Sequence, residues 1–321
     1  MTIVVLAAAL AGTAWLLTPP RLAGNVSVPD IPGDIDSWLA DTESAAAREF
    51  KLIPGTEKRI RWQQPGVRTR YSVVYLHGFS ATRQEIAPTN ERVADGLGAN
   101  LFETRLRGHG HGERPMHEVR AEDWLADGIE ALQIAAILGD EVIVIGTSTG
   151  ATLALALADH PLMQNVAAMV FISPNMAPAD PNAVWMTRPA GPLLAQLIAG
   201  DTRSWVAHND AQERYWSTSY PTAATVEVMR LVDRANRLAS MPLNAAVLML
   251  LSPDDTVISP AAARRTFGEI NAPLKRLDEV DGGGDPSNHV LAGDILSPDA
   301  TDVIASRIID FVIDAHSRPA S

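Results

Sequence analysis

The sequence predicts an α/β fold with a mostly parallel central sheet and helices on both of its faces. Short, mostly apolar runs recur along the chain, as buried parallel strands do. Helix-like stretches separate these runs, and strands that alternate with helices form βαβ units. Hydrophobic residues make up 46% of the 321 residues, so the chain can build a sizeable core. These observations predict one layered domain with insertions.

Six runs are predicted to be strands, and most end at a glycine, a histidine or a serine. In chain order they are 72–76, 100–102, 141–145, 168–172, 246–251 and 274–277. Helical spacing predicts helices between or around them. These are 35–50, 88–97, 121–138, 149–159, 260–269 and 299–315. In open α/β sheets the chemistry lies at the carboxyl ends of the strands, so we expect a functional site there.

Residues 175–243 interrupt the alternation. This interval shows no clean strand and contains three of the seven tryptophans, Trp185, Trp205 and Trp216. It predicts a mainly helical insertion beside the strand ends. We interpret it as a lid over a substrate pocket, with these tryptophans among the substrate-binding residues. The alternative is an ordinary pair of packing helices.

The first residues of the chain form an uncharged apolar run at 3–17. The run has 15 residues and would be about 22 Å long as a helix, whereas a membrane-spanning helix typically needs roughly 20 residues. We expect residues 1–23 to be a signal peptide or a membrane anchor, cleaved or retained, in a protein exported to or anchored at a bacterial membrane. A buried core helix is the alternative, but Pro19-Pro20 separates the run from the rest of the chain. Residues 24–60 are predicted to be a linker and an N-terminal helix.

Charge and cysteine content exclude several classes of function. The chain has 26 basic and 38 acidic residues, a net charge of −12, so it lacks the basic surface that nucleic-acid binding requires. It has no cysteine, which excludes disulfides, thiolate metal ligands and a cysteine nucleophile. We expect no nucleic-acid partner, and the sequence leaves the oligomeric state open.

The strongest motif is Gly146-Thr147-Ser148-Thr149-Gly150, a G-x-S-x-G pentapeptide. It directly follows the predicted strand 141–145 and precedes an apolar helical stretch. A strand, a sharp turn and a helix form the nucleophile elbow that exposes a reactive serine. The motif predicts Ser148 as a nucleophile.

A serine nucleophile needs a histidine base that a carboxylate orients, in the chain order serine, acid, histidine. His289 follows the last predicted strand and a Gly-rich loop. The acid follows the strand 246–251, where Asp254 and Asp255 are adjacent candidates. Other carboxylates also lie close to His289 in the sequence. They are Asp278, Asp281 and Asp285.

The attacked carbonyl needs N–H donors for its oxyanion. His77-Gly78-Phe79 ends the first buried strand and offers the amide of Phe79, and the amide of Thr149 follows the nucleophile. We expect His77 and Gly78 to border the substrate, with His77 shaping the loop rather than acting as a base.

Other polar residues cluster after the strand 100–102. His109, His111 and His117 could be metal ligands, but their glycine-rich setting favours a solvated loop beside the site, so we expect no metal and no cofactor. Arg105 and Arg107 could bind a substrate carboxylate, although ion pairs that organise the loop are the simpler interpretation.

Together these motifs resemble the α/β-hydrolase superfamily, specifically its lidded carboxylesterase, lipase and monoacylglycerol-lipase-like group, over residues 61–315. The resemblance implies a core of 61–174 and 244–321 with a lid at 175–243. It favours Asp255 over Asp254 as the acid, because the family places its acid just before a Thr/Arg-Val-Val-like turn. A serine nucleophile is unlike the aspartate of the epoxide hydrolases and haloalkane dehalogenases in that superfamily.

The activity implied is hydrolysis of carboxylic esters through an acyl-enzyme. Short to medium acyl esters, aryl esters and monoglycerides are the expected substrates. An amidase, thioesterase, lactonase or acyltransferase of the same fold remains open, as does a hydrolase-fold protein that only binds its ligand.

Overall fold

The computed structural model describes residues 19–28 and 30–317, so the predicted signal or anchor segment at 3–17 lies outside the described residues. Its centre is a seven-stranded sheet in the order β1-β3-β2-β4-β5-β8-β9. These strands are β1 Arg59–Arg61, β2 Thr69–Leu76, β3 Asn100–Glu103, β4 Gly139–Thr147, β5 Val166–Ile172, β8 Ala246–Leu251 and β9 Lys275–Glu279. All neighbouring strands are parallel except β1, which runs antiparallel to β3.

Helices fill the intervals between the strands. They are α1 Ile35–Phe50, α2 Thr89–Leu97, α3 Ala121–Leu138, α4 Thr149–Ala156, α5 Gly191–Ala199, α6 Asp210–Tyr215, α7 Thr222–Leu238, α8 Pro260–Glu269 and α9 Thr301–Ser317. The predicted α/β fold class is therefore confirmed. Among the described residues, no helix is both long and apolar enough to cross a membrane.

Side chains of each central strand alternate between two apolar cores. Val73 and Tyr75 of β2 face the core that contains α2 and α9. Val74 and Leu76 face the larger core, to which α3, α4 and α7 contribute. Since alternate strand residues point to opposite faces, an unbroken apolar run is what a sheet covered on both sides requires.

The interval 175–243 connects β5 to β8, which are neighbours in the sheet. It contains α5, α6 and α7, and it also contains a two-stranded hairpin that the sequence did not predict, β6 Thr202–Ser204 paired with β7 Ser219–Pro221. Helix α7 packs on α4. Its buried Arg234 donates to the carbonyl of Ala156 at 2.8 Å and to the carboxylate of Asp159, which satisfies the end of α4.

Helix α1 is tied to the sheet edge by a buried ion pair. Arg105, just after β3, donates from Nε and Nη2 to Glu43 at 3.1 and 2.8 Å, and both side chains are less than 10% exposed. The interpretation of Arg105 as a residue that organises its loop is thus confirmed. The amide of Lys58 donates to the same carboxylate at 3.0 Å.

Because removal of one partner leaves an uncompensated buried charge, Glu43→Ala is expected to lower the free energy of unfolding by about 3–5 kcal/mol. Urea denaturation measures it. The exposed pair Arg61–Asp95 offers a control, since Asp95→Ala is expected to cost about 0–1 kcal/mol. Equal losses in the two variants would contradict a special role for the buried pair.

Candidate active site

Ser148 sits in a strained turn between β4 and α4. Its backbone has φ 52° and ψ −115°, a region that non-glycine residues rarely occupy. The surrounding backbone leaves no room for a side chain at either of the glycines that flank this turn. A Cβ at Gly150 would lie 1.9 Å from the carbonyl oxygen of Leu76, and one at Gly146 would lie 2.5 Å from the amide nitrogen of Ala151. Both flanking glycines are therefore required for the turn.

His289 and Asp255 meet at the same edge of the sheet. The loops after β8 and β9 carry them, and His289 Nδ1 lies 2.7 Å from Asp255 Oδ2. The other oxygen of Asp255 accepts the amides of Val257 and Ile258 at 2.8 and 3.0 Å, which fixes the carboxylate. Burial lowers the pKa of His289. The hydrogen bond with Asp255 and the negative charge of that residue outweigh burial, so the pKa is raised above 6.5.

The other carboxylates have different partners. Asp254 is exposed, and Asp278 pairs with Arg276. Asp285 is buried beneath the His289 loop, where Oδ2 accepts the amides of His289 and Val290 at 3.0 and 2.8 Å. Burial raises the pKa of Asp285, but these bonds and those from Ser287 outweigh it and leave the pKa low. Asp285 therefore holds the backbone of the loop, whereas Asp255 contacts the imidazole ring.

His77 orients the peptide between Gly78 and Phe79. Its Nε2 accepts the amide of Leu106 at 3.0 Å, so the ring proton lies on Nδ1, which donates to the carbonyl of Gly78 at 2.9 Å. Burial lowers the pKa of His77 to about 4, so the ring is neutral. In a trans peptide the N–H points away from the carbonyl. The Phe79 amide is thus held on the side opposite His77.

Within the described residues, the amide of Phe79 is the one amide of 78–81 without an acceptor in the chain. The first amides of a helix likewise have no acceptor in that helix, and Thr149 begins α4. A Cβ built on Gly78 would lie 3.3 Å from Cβ of Ser148, so the Phe79 loop lies directly against the serine. The arrangement offers two free donors beside Ser148.

Two buried side chains hold amides of this loop in ways that the sequence did not predict. Glu85 is 2% exposed, and its Oε2 accepts the amide of Gly78 and the hydroxyl of Tyr75, both at 2.7 Å. Burial raises the pKa of Glu85. His109 is 1% exposed and accepts the amide of Ser80 at 3.2 Å, so the expectation of a solvated loop was wrong for this residue. Nothing in a single sequence indicates these roles, because they depend on hydrogen bonds that form only in the folded chain.

The remaining polar candidates lie apart. His111 stacks on Phe50 with ring centroids 4.4 Å apart, and burial lowers its pKa to about 4. His117 is exposed beside Glu118, and Arg107 offers its amide to Asp127 at 2.6 Å. No group of three potential metal ligands is found within the part of the chain that the structure describes.

The interval 175–243 contacts the Phe79 loop. The amide of Ser217 donates to the carbonyl of Ser80 at 2.7 Å, and the rings of Tyr220 and Phe79 are 4.9 Å apart, edge to face. The three tryptophans occupy different settings. Trp216 is buried in the smaller core, Trp205 is half-buried, and Trp185 is 63% exposed. Their contact with substrate stays a prediction.

The chain is similar to lipolytic enzymes in both sequence and fold. It is 26% identical over 231 residues to a thermostable monoacylglycerol lipase from Bacillus sp. (strain H-257), covering 72% of this chain and 87% of that one. Its fold is similar to a structure from work on two metagenome-derived lipolytic enzymes, LipS and LipT, with a TM-score of 0.67, 20% identity and coverage of 82% and 99%.

A monoacylglycerol lipase from Paleococcus ferrophilus gives a TM-score of 0.58 at 17% identity, with coverage of 80% and 98%. Residues 73–301, which include the Ser148 turn, the Asp255 and His289 loops and the whole 175–243 interval, match the alpha/beta hydrolase family. The chain therefore belongs to the alpha/beta hydrolase family.

Proposed function

We propose that this protein is a serine carboxylic-ester hydrolase. The observation that carries the proposal is the strained Ser148 turn with two free amides, at the edge of the sheet that also carries the hydrogen-bonded His289–Asp255 pair. A serine hydroxyl is a poor nucleophile until a base removes its proton. His289, neutral and oriented by Asp255, supplies that base.

The reaction proceeds in two halves. His289 takes the proton of Ser148 as its oxygen attacks the ester carbonyl, and the amides of Phe79 and Thr149 bind the oxyanion. The protonated imidazole then gives its proton to the leaving alcohol, which leaves an acyl group on Ser148. Water, deprotonated by His289, hydrolyses the acyl-enzyme and restores the free serine. Each proton passes through one histidine, so the scheme needs no cofactor.

The substrates proposed are short to medium acyl esters, aryl esters and monoglycerides. Lipolytic enzymes among the similar proteins support this class. The interval 175–243 is proposed to act as a lid, and its contacts to Ser80 and to the ring of Phe79 support that role. When this lid is closed, it separates the acyl group from bulk water.

Hydrolysis of a p-nitrophenyl ester series from acetate to palmitate, together with monoacylglycerols, tests the proposal. We expect turnover with a peak at short or medium chains. Matched aryl anilides and thioesters serve as controls for the leaving group. Faster hydrolysis of the anilide than of its ester would indicate an amidase, and failure of Ser148 to react with a fluorophosphonate would indicate a binding protein.

The pH dependence follows from the raised pKa of His289. Since the base must be neutral, kcat/KM is expected to fall about tenfold per pH unit below that pKa, which lies above 6.5. Asp255→Asn removes the two largest causes of the upward shift and leaves the smaller ones from Glu85 and Asp285, so its acid limb is expected at lower pH. Asp254→Asn, at the exposed neighbouring residue, is the control and is expected to leave the pH of the acid limb unchanged. An acid limb that stays fixed in Asp255→Asn would contradict the assignment.

We further propose that residues 3–17 attach the protein to a bacterial membrane or direct its export, as their uncharged apolar sequence indicates. Fractionation of cells that express the full chain, with mass measurement of its N-terminus, distinguishes a retained anchor from a cleaved peptide.

A further inference from the structure

Two cavities flank the point where the described chain begins. Pro19 follows the apolar run 3–17, and Pro19 and Pro20 line both cavities. The first, of about 790 Å³, is also lined by Pro192 and Leu193 of α5. The second, of about 500 Å³, is lined mainly by polar residues of α7 and of the stretch before α5. The chain that follows the apolar run therefore joins the fold between them.

Helix α5, which contributes Pro192 and Leu193 to the first cavity, exposes several apolar side chains. Leu197 is 72% and Ile198 85% exposed, and Leu193 and Leu194 are each 46% exposed. Of the eleven large apolar side chains exposed in the described part of the chain, seven belong to the interval 175–243. The other three of the seven are Val184, Trp185 and Val206. Exposed apolar side chains that are concentrated on one short helix indicate a contact with a partner or a membrane.

The smaller cavity concentrates positive charge. Arg230 in its wall is already paired with Glu122 and Glu227. Arg21, Arg188 and Arg237 also line it, and Asp233 is the one acidic residue there. Among the described residues, neither Arg21 nor Arg188 has a carboxylate within 4 Å. Burial and the nearby charges of Arg21 and Arg234 lower the pKa of Arg237.

The interval that contributes α5 and α7 to this face carries no net charge. The interval 175–243 has six acidic and six basic residues, whereas the whole chain has a net charge of −12. The excess of carboxylates thus lies outside this interval, so a negatively charged surface meets less repulsion here than it meets from the rest of the chain. Guanidinium groups match the geometry of phosphate oxygens. An apolar helix beside such a cavity combines the two chemistries that a phospholipid surface presents.

We propose that this face binds an anionic phospholipid bilayer: α5 inserts its leucines and Ile198 at the acyl boundary, and the cavity of Arg21, Arg188 and Arg237 holds a lipid phosphate. The site lies in the described fold, and so is distinct from the apolar run 3–17. It does not depend on ester hydrolysis, because vesicle binding rather than turnover tests it. Failure of one proposal therefore leaves the other measurable.

Flotation of the full chain with phosphatidylglycerol vesicles tests the cavity. Each basic side chain near an anionic surface contributes appreciably to binding, so Arg21→Gln/Arg188→Gln is expected to weaken binding about thirtyfold, with little effect on phosphatidylcholine vesicles. Arg48→Gln/Arg265→Gln removes the same charge from exposed positions elsewhere and is expected to change binding less than about threefold. Equal losses in the two double variants would overturn the phosphate site.

A probe at Ile198 tests the helix. The chain has no cysteine, so Ile198→Cys and, on the far helix α9, Ile313→Cys each provide one site for an environment-sensitive fluorophore. With vesicles, we expect a blue shift and quenching by bromine-labelled acyl chains at position 198 but not at 313. Identical behaviour at the two sites, or a blue shift at 198 before vesicles are added, would overturn the proposal. Calorimetric binding of inorganic phosphate without vesicle binding would instead assign the cavity to a soluble anion.

Discussion

Ser148→Ala is expected to lower kcat on the best ester by a factor of about 10⁴ to 10⁶, with the folded state retained. The variant keeps the oxyanion donors and the substrate surface, which alone give only a residual rate above that in water. The loss follows because alanine places no nucleophilic oxygen at the strained position between β4 and α4. Steady-state kinetics on the ester series measures it.

Labelling by a fluorophosphonate gives an independent readout of the same prediction. The wild-type chain is expected to take one label, on a peptide that contains Ser148, and Ser148→Ala to take none. The exposed Ser240 supplies a control, since Ser240→Ala is expected to label and turn over as the wild type does. Unchanged turnover in Ser148→Ala would rule out the acyl-enzyme on this residue.

Asp255→Asn is expected to lower kcat by a factor of about 10⁴. The carboxylate accepts the proton of His289 Nδ1 at 2.7 Å, which leaves Nε2 free to act as the base. An amide side chain at position 255 can donate to Nδ1 instead, which moves the ring proton to Nε2 and removes the base. Asp254→Asn, one residue away and exposed, is expected to change kcat less than about threefold.

Asp285 provides a more stringent control for the Asp255→Asn prediction than Asp254 does. Its carboxylate is buried and lies beneath the same loop, but it accepts backbone amides of His289 and Val290 rather than the ring proton. Asp285→Asn is therefore expected to lower stability in urea more than it lowers kcat per folded molecule. A larger kcat loss in Asp285→Asn than in Asp255→Asn would reverse the roles that we assign to the two carboxylates.

The sequence predicted the parts of the fold that one segment determines by itself. Apolar runs such as 141–145 indicated buried strands, and the spacing of glycines around Ser148 indicated its turn. Strand β1 escaped prediction because Arg59 and Arg61 give it the composition of a surface loop, and pairing with β3 at the sheet edge makes it a strand. The hairpin β6–β7 is polar and its strands are only three residues long, so its pattern carried no signal.

The same distinction holds at the site. Ser148 and His289 stand out in the sequence, while the choice between Asp254 and Asp255 needed a family resemblance. Contact of Asp255 with the ring supports that choice. Glu85 went unnoticed and the buried position of His109 was missed, because the amide that each holds in the 78–80 loop is known only from the folded chain.

The placement of the interval 175–243 has a consequence for how such proteins diversify. It joins β5 to β8, which pair directly in the sheet, so one contiguous stretch of chain can be replaced without a change of strand register. Arg234, which holds the end of α4, and Ser217, which holds the 78–80 loop, are two of the junctions that a replacement must reproduce. Exchange of this stretch between relatives, as a cassette with those two junctions kept, is therefore a direct route to chimaeric enzymes with new substrate ranges on an unchanged catalytic frame.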